Sequence, residues 1–348
     1  MPLILIALSI CILYMASLAK KRNFFYDFHS LKQTQSWKGI AAIAIVLDHI
    51  WFSTNSIWLK PFYLSAFLVV GLFFYLSGYG LIKSQPKETS VFQITMVRRL
   101  LSIIIPVLIA NALFVCTLII AGSTYTLPEA LFSIVNIFGG DRINSAVWFI
   151  FNLVFLYVLY FISFRLFNKE TAVLCLLGMT CVMTALFVIF TPNQYNLFGM
   201  NFCFVVGIIV GYFEHRIFAF IKKKPIKSVL ISLGFFLLFL LLYQYFYENI
   251  VIGKVIFRNL SAIWFSLFVV IFGLLIKLQN KSTLFWGKIS FELFLYHNLF
   301  ITLFRSNIFY IPDDSIYTVS VLIATFICSF LINKLDVKIN GVIRKKFA

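Results

Sequence analysis

Four titratable side chains stand in strongly apolar surroundings. Asp48 and His49 fall within the run GIAAIAIVLDHIWF, and Glu292 and His297 within KISFELFLYHNLF. Ionisable groups inside a membrane span are expensive, and by default they suggest a function. Four polar groups at similar depths on two segments suggest one shared site. Lys38 precedes His49 by eleven residues, close to three helical turns, so the two share a face about 16 Å apart along the axis. An anionic head with a long thin arm would suit that line, with phosphates at Lys38 and a reactive end at His49. Coenzyme A thioesters have this shape. A histidine is also suited to taking a proton from a hydroxyl near neutral pH. Simple packing gives another reading, in which Lys38 snorkels to an interface and His49 bonds a neighbouring helix. Asp48 lies about 100° round the helix from His49 and points elsewhere. Arg98-Arg99 carry guanidinium forks that match phosphate, although a basic pair at a helix start also anchors a membrane segment.

The elements that must position these groups are set by composition. Of 348 residues, 62% are hydrophobic, only 12% are charged, and 43 are Phe. Soluble domains carry about a quarter charged residues. A mean hydropathy of +0.99 leaves too little polar surface to cover one globule. A soluble enzyme, a disordered chain and a nucleic-acid-binding module are excluded.

Eleven apolar stretches can be marked: 2–19, 39–54, 61–82, 100–121, 146–164, 171–190, 197–213, 228–247, 259–276, 289–304 and 316–333. The expected fold is therefore an all-α polytopic membrane protein of about eleven transmembrane helices. Threading them with the N-terminus outside and the C-terminus cytosolic puts 24 of the 29 Lys and Arg residues on the inner side. Lys60, Arg142, Lys254, Arg258 and Arg305 remain outside. That bias is what the positive-inside rule predicts. In the first stretch the basic cluster Lys20-Lys21-Arg22 follows the apolar run, the wrong polarity for a cleaved signal, so a retained helix is expected.

Residues 20–38, with Phe24, Phe25, Tyr26, Phe28 and Trp37, read as an amphipathic segment lying along the inner surface. Residues 122–145 read as a re-entrant element, an interfacial element or a long loop. All six cysteines fall in apolar stretches without metal-ligand spacing, so neither a disulfide framework nor a metal site is expected. Gly71, Ser77, Gly78 and Gly80, and the pair Gly207 and Gly211, suit close helix packing. His29 and His215 carry no assignment.

Several short runs resemble one known family. Trp37-Lys38-Gly39-Ile40 leading to His49 is similar to the basic-x10-His signature of the acyltransferase-3 membrane acyltransferases. Phe74-Tyr75-Leu76-Ser77-Gly78-Tyr79 resembles that family's "LSGF" helix. Arg98-Arg99-Leu100-Leu101 with Pro106 resembles its arginine-bearing cytosolic helix start, and Trp148-Phe149 its later Trp-Phe. Gly287 to Phe291 and Leu295-Tyr296-His297 resemble its closing "GKISYxxYLxH" segment. Ser102 stands where the family often has a second arginine. The family core has ten helices, which makes the 2–19 helix an addition.

The resemblance implies acyl transfer, usually of acetyl, from cytosolic acyl-CoA to a sugar hydroxyl. Acceptors would be surface or exported polysaccharides or their lipid-linked precursors, in a bacterial plasma membrane. His49 takes the family's essential histidine position, with Asp48 as its catalytic neighbour. Lys38, Arg98 and Arg99 take the donor-binding positions. Tyr75, Ser77, Trp148, Glu292 and His297 are candidates for contact with substrate. His49 would act as a base or carry the acetyl group briefly. Acetyl-CoA enters as a substrate, with no permanently bound cofactor, no metal and no nucleic-acid partner. The expected organisation is an N-terminal helix and interfacial segment over 1–35, a membrane acyltransferase domain over 36–335, and a basic cytosolic tail over 336–348. A transporter or flippase using the buried groups as a relay, or a catalytically silent sensor or partner subunit, would also fit buried polar residues. No matching halves of the kind many transporters show are evident.

Overall fold

The computed structural model describes residues 1–19, 23–63, 65–86, 88–137, 142–192, 194–247 and 251–346. In chain order these form α1 (Pro2–Leu13), α2 (Leu31–Trp51), α3 (Ser65–Lys83), α4 (Thr89–Ile120), α5 (Leu127–Val135), α6 (Trp148–Leu166) and α7 (Lys169–Phe190). There follow α8 (Asn201–Tyr212), α9 (Glu214–Lys223), α10 (Pro225–Phe246), α11 (Val251–Phe272), α12 (Lys281–Lys288), α13 (Ser290–Leu303) and α14 (Asp314–Lys346). Each apolar stretch marked in the sequence lies mainly on helix, as lipid demands of any open-ended segment. The chain is an all-α polytopic membrane protein.

The expected eleven crossings are not equivalent. Among the described residues seven helical stretches are long and apolar enough to span, and the α8–α9 pair, bent by 86°, would make an eighth. At 1.5 Å per residue α1 rises about 18 Å and α13 about 21 Å, short of a hydrocarbon core of about 30 Å. Stretch 2–19 ends as helix at Leu13, because Met15 takes a positive φ of 57° and Ser17–Leu18 becomes strand β1. This pairs antiparallel with β2 (Ile276–Lys277).

Contacts between connecting segments respect the two sides assigned from charge. On the basic side β1 meets β2, Lys277 Nζ lies 2.7 Å from Asp27 Oδ2, and Lys83 pairs with Glu214. On the opposite side the Met1 amino group donates to Ser315 Oγ at 3.1 Å, and Asn55 N–H donates to Asp314 Oδ2 at 3.0 Å. Lys20, Lys21, Arg22, Lys87, Gly139, Gly140 and Asp141 lie outside the described residues.

The structure refines three local expectations. Residues 31–38 are the first turns of α2, not a surface segment, with Ser30 capping the helix by accepting from Gln33 N–H. Phe28 and Trp37 are buried in the core. Within 122–145, α5 is a short amphipathic helix with a Thr126–Glu129 capping box, and Leu127, Leu131, Phe132 and Val135 are exposed. Such a face suits the membrane interface. Residues 336–346, expected as a tail, continue α14.

Small residues set the helix contacts around the site. A Cβ on Gly39 would meet Gly287 N at 2.5 Å and Thr283 O at 2.7 Å, so α2 and α12 touch backbone to backbone. From there α2 and α12–α13 run parallel at a constant offset. Ser36 faces Thr283, Gln35 bonds Leu284 O, and His49 meets His297, pairs 247 to 249 residues apart. Close approach at Gly78 and Gly207 joins α3 to α8 in the same manner.

At the basic end His29 ties residues 23–30 to α3 and α9. Its Nε2 lies 3.2 Å from Tyr75 OH, and its ring centroid is 3.9 Å from that of Tyr79. Tyr79 OH donates to Glu214 Oε1 at 2.9 Å. Burial pushes the His29 pKa down from 6.5 to about 4. The folded state keeps His29 neutral where the unfolded chain already takes a proton. Stability is therefore complete above about pH 6.5 and falls as pH drops towards about 4, by up to about 3 kcal/mol. Melting of the detergent-solubilised chain between pH 7 and pH 4.5 should show this loss, and His29→Gln should flatten it. Gly287→Leu, which drives a side chain into the Gln35 backbone, should lower the melting temperature by several degrees in the same assay.

Candidate active site

Three cavities follow one another through the bundle from the basic end. The first, about 440 Å³, is lined by Thr95, Arg98, Arg99 and Ser102 of α4 and by Asn340 and Ile343 of α14. α4 has 32 residues, about 48 Å of helix. Its first turns therefore reach beyond the apolar layer and present both arginines there. Arg99 Nη2 donates to Ser84 Oγ at 2.5 Å, and Arg98 Nε has no hydrogen-bond partner.

The second cavity, about 240 Å³, lies deeper. Lys38 of α2, Ser77 of α3, Tyr157 of α6 and Ser290 of α13 supply its polar wall, and Phe73, Phe149, Phe291 and Phe294 much of the rest. Ser77 Oγ and Tyr157 OH are 3.1 Å apart. Ser102 belongs to the walls of both cavities. A larger side chain there would fill the junction. Lys38 thus stands midway along the path, not at its mouth.

The third cavity, about 180 Å³, contains His49. Asp48, Tyr63, Trp148, Asn196 and Arg258 share its wall, and Phe294 separates it from the second cavity. Phe294 is itself held by Phe149, with ring centroids 4.9 Å apart.

His49 and His297 form a directed pair. His49 Nδ1 lies 3.0 Å from Ile45 O, the carbonyl one turn earlier on α2, and 3.0 Å from His297 Nε2. His297 Nδ1 lies 3.1 Å from Leu293 O, one turn earlier on α13. A carbonyl only accepts, so each Nδ1 carries the proton. His297 Nε2 is then a lone pair accepting from His49 Nδ1–H. His49 Nε2 is left unprotonated. These protons are assigned from the hydrogen bonds.

The sequence candidates separate accordingly. Lys38, Arg98, Arg99 and Ser77 line the first two cavities, and Asp48, His49 and Trp148 line the third. His297, 0% exposed, reaches the site only through His49. Tyr75 is buried beside His29 and lines none of the three. Glu292 faces α14, where its Oε1 accepts from Asn333 Nδ2 at 2.7 Å. Among the described residues no group of three His, Cys, Asp or Glu could hold a metal ion.

Arg258, Asn196, Tyr63, Tyr157, Ser290 and Asn340 were not signalled by motif. Arg258 carried one usable sign, a cation two turns inside an apolar helix.

A model of the acyltransferase-3 family, described as an acyltransferase domain, matches residues 35–334. The chain belongs to the acyltransferase-3 family. No curated protein and no solved structure matches it. The chain is thus a multi-pass membrane acyltransferase. For this acyltransferase, the arrangement offers a basic nitrogen, His49 Nε2, in a cavity that an aromatic ring separates from a lysine-lined and then an arginine-lined space.

The tautomer assignment is directly measurable. Nitrogen-15 spectra of histidine-labelled chain above pH 7 should show His49 protonated on Nδ1 and bare on Nε2, and His297→Phe should leave that tautomer in place, because Ile45 O still accepts from Nδ1–H. A proton on Nε2 in the unmodified chain would refute the assignment.

Proposed function

We propose that this acyltransferase is an O-acetyltransferase in a bacterial plasma membrane. It takes acetyl from cytosolic acetyl-CoA and places it on a hydroxyl of a surface or exported polysaccharide, or of its lipid-linked precursor. The observation that carries the reading is the position of His49 at the far end of the series of cavities, reached through the Ser102 and Phe294 junctions. The basic end is the cytosolic one on the charge argument.

Anionic phosphates of the donor fit beside Arg98 and Arg99, whose forks match phosphate oxygens. The arm passes Ser102 into the second cavity, where Lys38, Tyr157 and Ser77 offer donors to its amide carbonyls. The thioester then lies against Phe294 and His49. The acceptor comes from the opposite side, with Trp148 as an apolar face for a sugar ring.

In the transfer step His49 Nε2 takes the proton of the acceptor hydroxyl as its oxygen attacks the thioester carbonyl carbon. The new C–O bond forms, the C–S bond breaks, and the thiolate leaves with the electron pair. The imidazolium returns its proton to that sulfur, so no proton is gained or lost overall. His297, accepting from Nδ1–H, holds the ring and favours the charged intermediate form of His49. General-base catalysis of this kind contributes about 10²- to 10⁴-fold.

Membranes incubated with labelled acetyl-CoA and a surface-glycan acceptor test the reading. His49→Ala should reduce label transfer at least about a hundredfold, and undiminished transfer would refute the mechanism. Ser102→Trp should raise the KM for acetyl-CoA more than it lowers kcat, because it narrows the donor path without touching His49. Arg98→Ala and Arg99→Ala should each raise that KM by about tenfold.

A further inference from the structure

Arg258 is the strongest unexplained charge in the bundle. It lies on α11, two turns from the end opposite the basic face, and is only 8% exposed. Its Nη2 donates to Asn196 Oδ1 at 2.9 Å and its Nη1 to Tyr243 OH at 3.4 Å. The guanidinium carbon sits 4.8 Å from the centre of the Phe67 ring. Its Nε has no hydrogen-bond partner. Every one of these neighbours is neutral. Among the described residues the ion pairs are Lys83–Glu214, Lys277–Asp27 and Arg305–Asp314, so no carboxylate of a described residue lies within 4.0 Å of Arg258. Asp48 shares the cavity wall without closing that distance.

Burying a cation is costly unless a counter-charge or strong hydrogen bonds offset it. An amide, a phenol and a ring face offset part of this. A guanidinium has five N–H donors, and only two are used by these hydrogen bonds. The unused ones belong to a planar fork that matches a carboxylate or a phosphate. One turn earlier on the same face, Lys254 is also buried, its Nζ 3.7 Å above the Tyr247 ring.

The side of the bundle decides whose anion this is. Donor phosphates meet Arg98 and Arg99 at the other end, and an acetyl group is uncharged. The group that reaches Arg258 therefore arrives with the acceptor. We propose that the acceptor of this acyltransferase bears an anionic group, a carboxylate or a phosphate, near the hydroxyl that is acylated, and that Arg258 holds that group while His49 works on the hydroxyl. This rests on the assignment of the third cavity to the acceptor under the proposed function.

The full chain in lipid nanodiscs tests this with matched oligosaccharides: one bearing a uronic acid, its carboxyl-reduced neutral form, and a phosphorylated form. Two readouts are needed, thermal stabilisation of the chain by each sugar and label transfer from acetyl-CoA. An acidic sugar should stabilise the unmodified chain, and its KM should be at least about tenfold below that of the neutral form. Which acidic form does so identifies carboxylate or phosphate. Arg258→Gln should erase the difference through KM, with kcat changed only a few-fold, and Arg258→Lys should keep part of it. Retained acetyl-CoA binding by the variants shows that they fold. Equal KM values in the unmodified chain, a preference that survives Arg258→Gln, or no stabilisation by any acidic sugar would overturn the inference. So would dependence on Arg258 seen only when succinyl-CoA replaces acetyl-CoA, since the anion would then belong to the acyl group. Stabilisation by an acidic sugar, lost in Arg258→Gln and unaccompanied by any label transfer, would support anion recognition and count against the proposed function instead.

Discussion

The contact on which this site depends is the one where α2 and α12 meet with no side chain between them. Gly39 and Gly287 bring the two backbones together, and the polypeptide then keeps α2 and α13 parallel at a fixed offset. Ten residues further along the chain on each side, His49 of α2 and His297 of α13 meet at 3.0 Å. The geometry of the histidine pair is thus inherited from a glycine contact about 15 Å away along the helix axis. It also explains why α13 can be short. It is supported along its length by a longer helix, and it has only to carry His297 and Phe294 to the right depth.

Within that frame two backbone carbonyls do the remaining chemical work. Ile45 O and Leu293 O each lie one turn before a histidine and fix the same ring nitrogen as donor. In a low-dielectric interior such bonds are strong and the alternatives are costly. The ring therefore has one resting state. An imidazole held this way keeps its Nδ1 proton through a backbone carbonyl, with Asp48 elsewhere on the same cavity wall.

Much of the fold was legible because lipid punishes error. The eleven apolar stretches and the 24-to-5 distribution of charge follow from membrane solvation, and the segment contacts respect the resulting sides. The shared face of Lys38 and His49 was legible because the helical period is fixed. The spacing could not place Lys38 on the wall of the middle cavity, since the depth of a lysine depends on what surrounds it. Periodicity also says nothing about partners 248 residues away, so the pairing of His49 with His297 was visible only as similar depth on two segments. Tyr75 and Glu292 looked like site residues by type and position, yet each is turned to a different neighbour, His29 and Asn333. Arg258 was counted as an outer charge because a hydropathy run has no means of showing which cations point inward.

α14 has a consequence of another kind. Its terminal turns, carrying Asn340 and Ile343, form the wall opposite Arg98 and Arg99. Whatever fills that space is therefore held partly by these turns of α14, and by reciprocity they are held by it. Occupancy of that cavity and docking of the last turns of α14 are one linked equilibrium. Those turns of α14 therefore sense whether the arginine-lined cavity is filled, and any molecule grasping them would compete with, or reinforce, binding there.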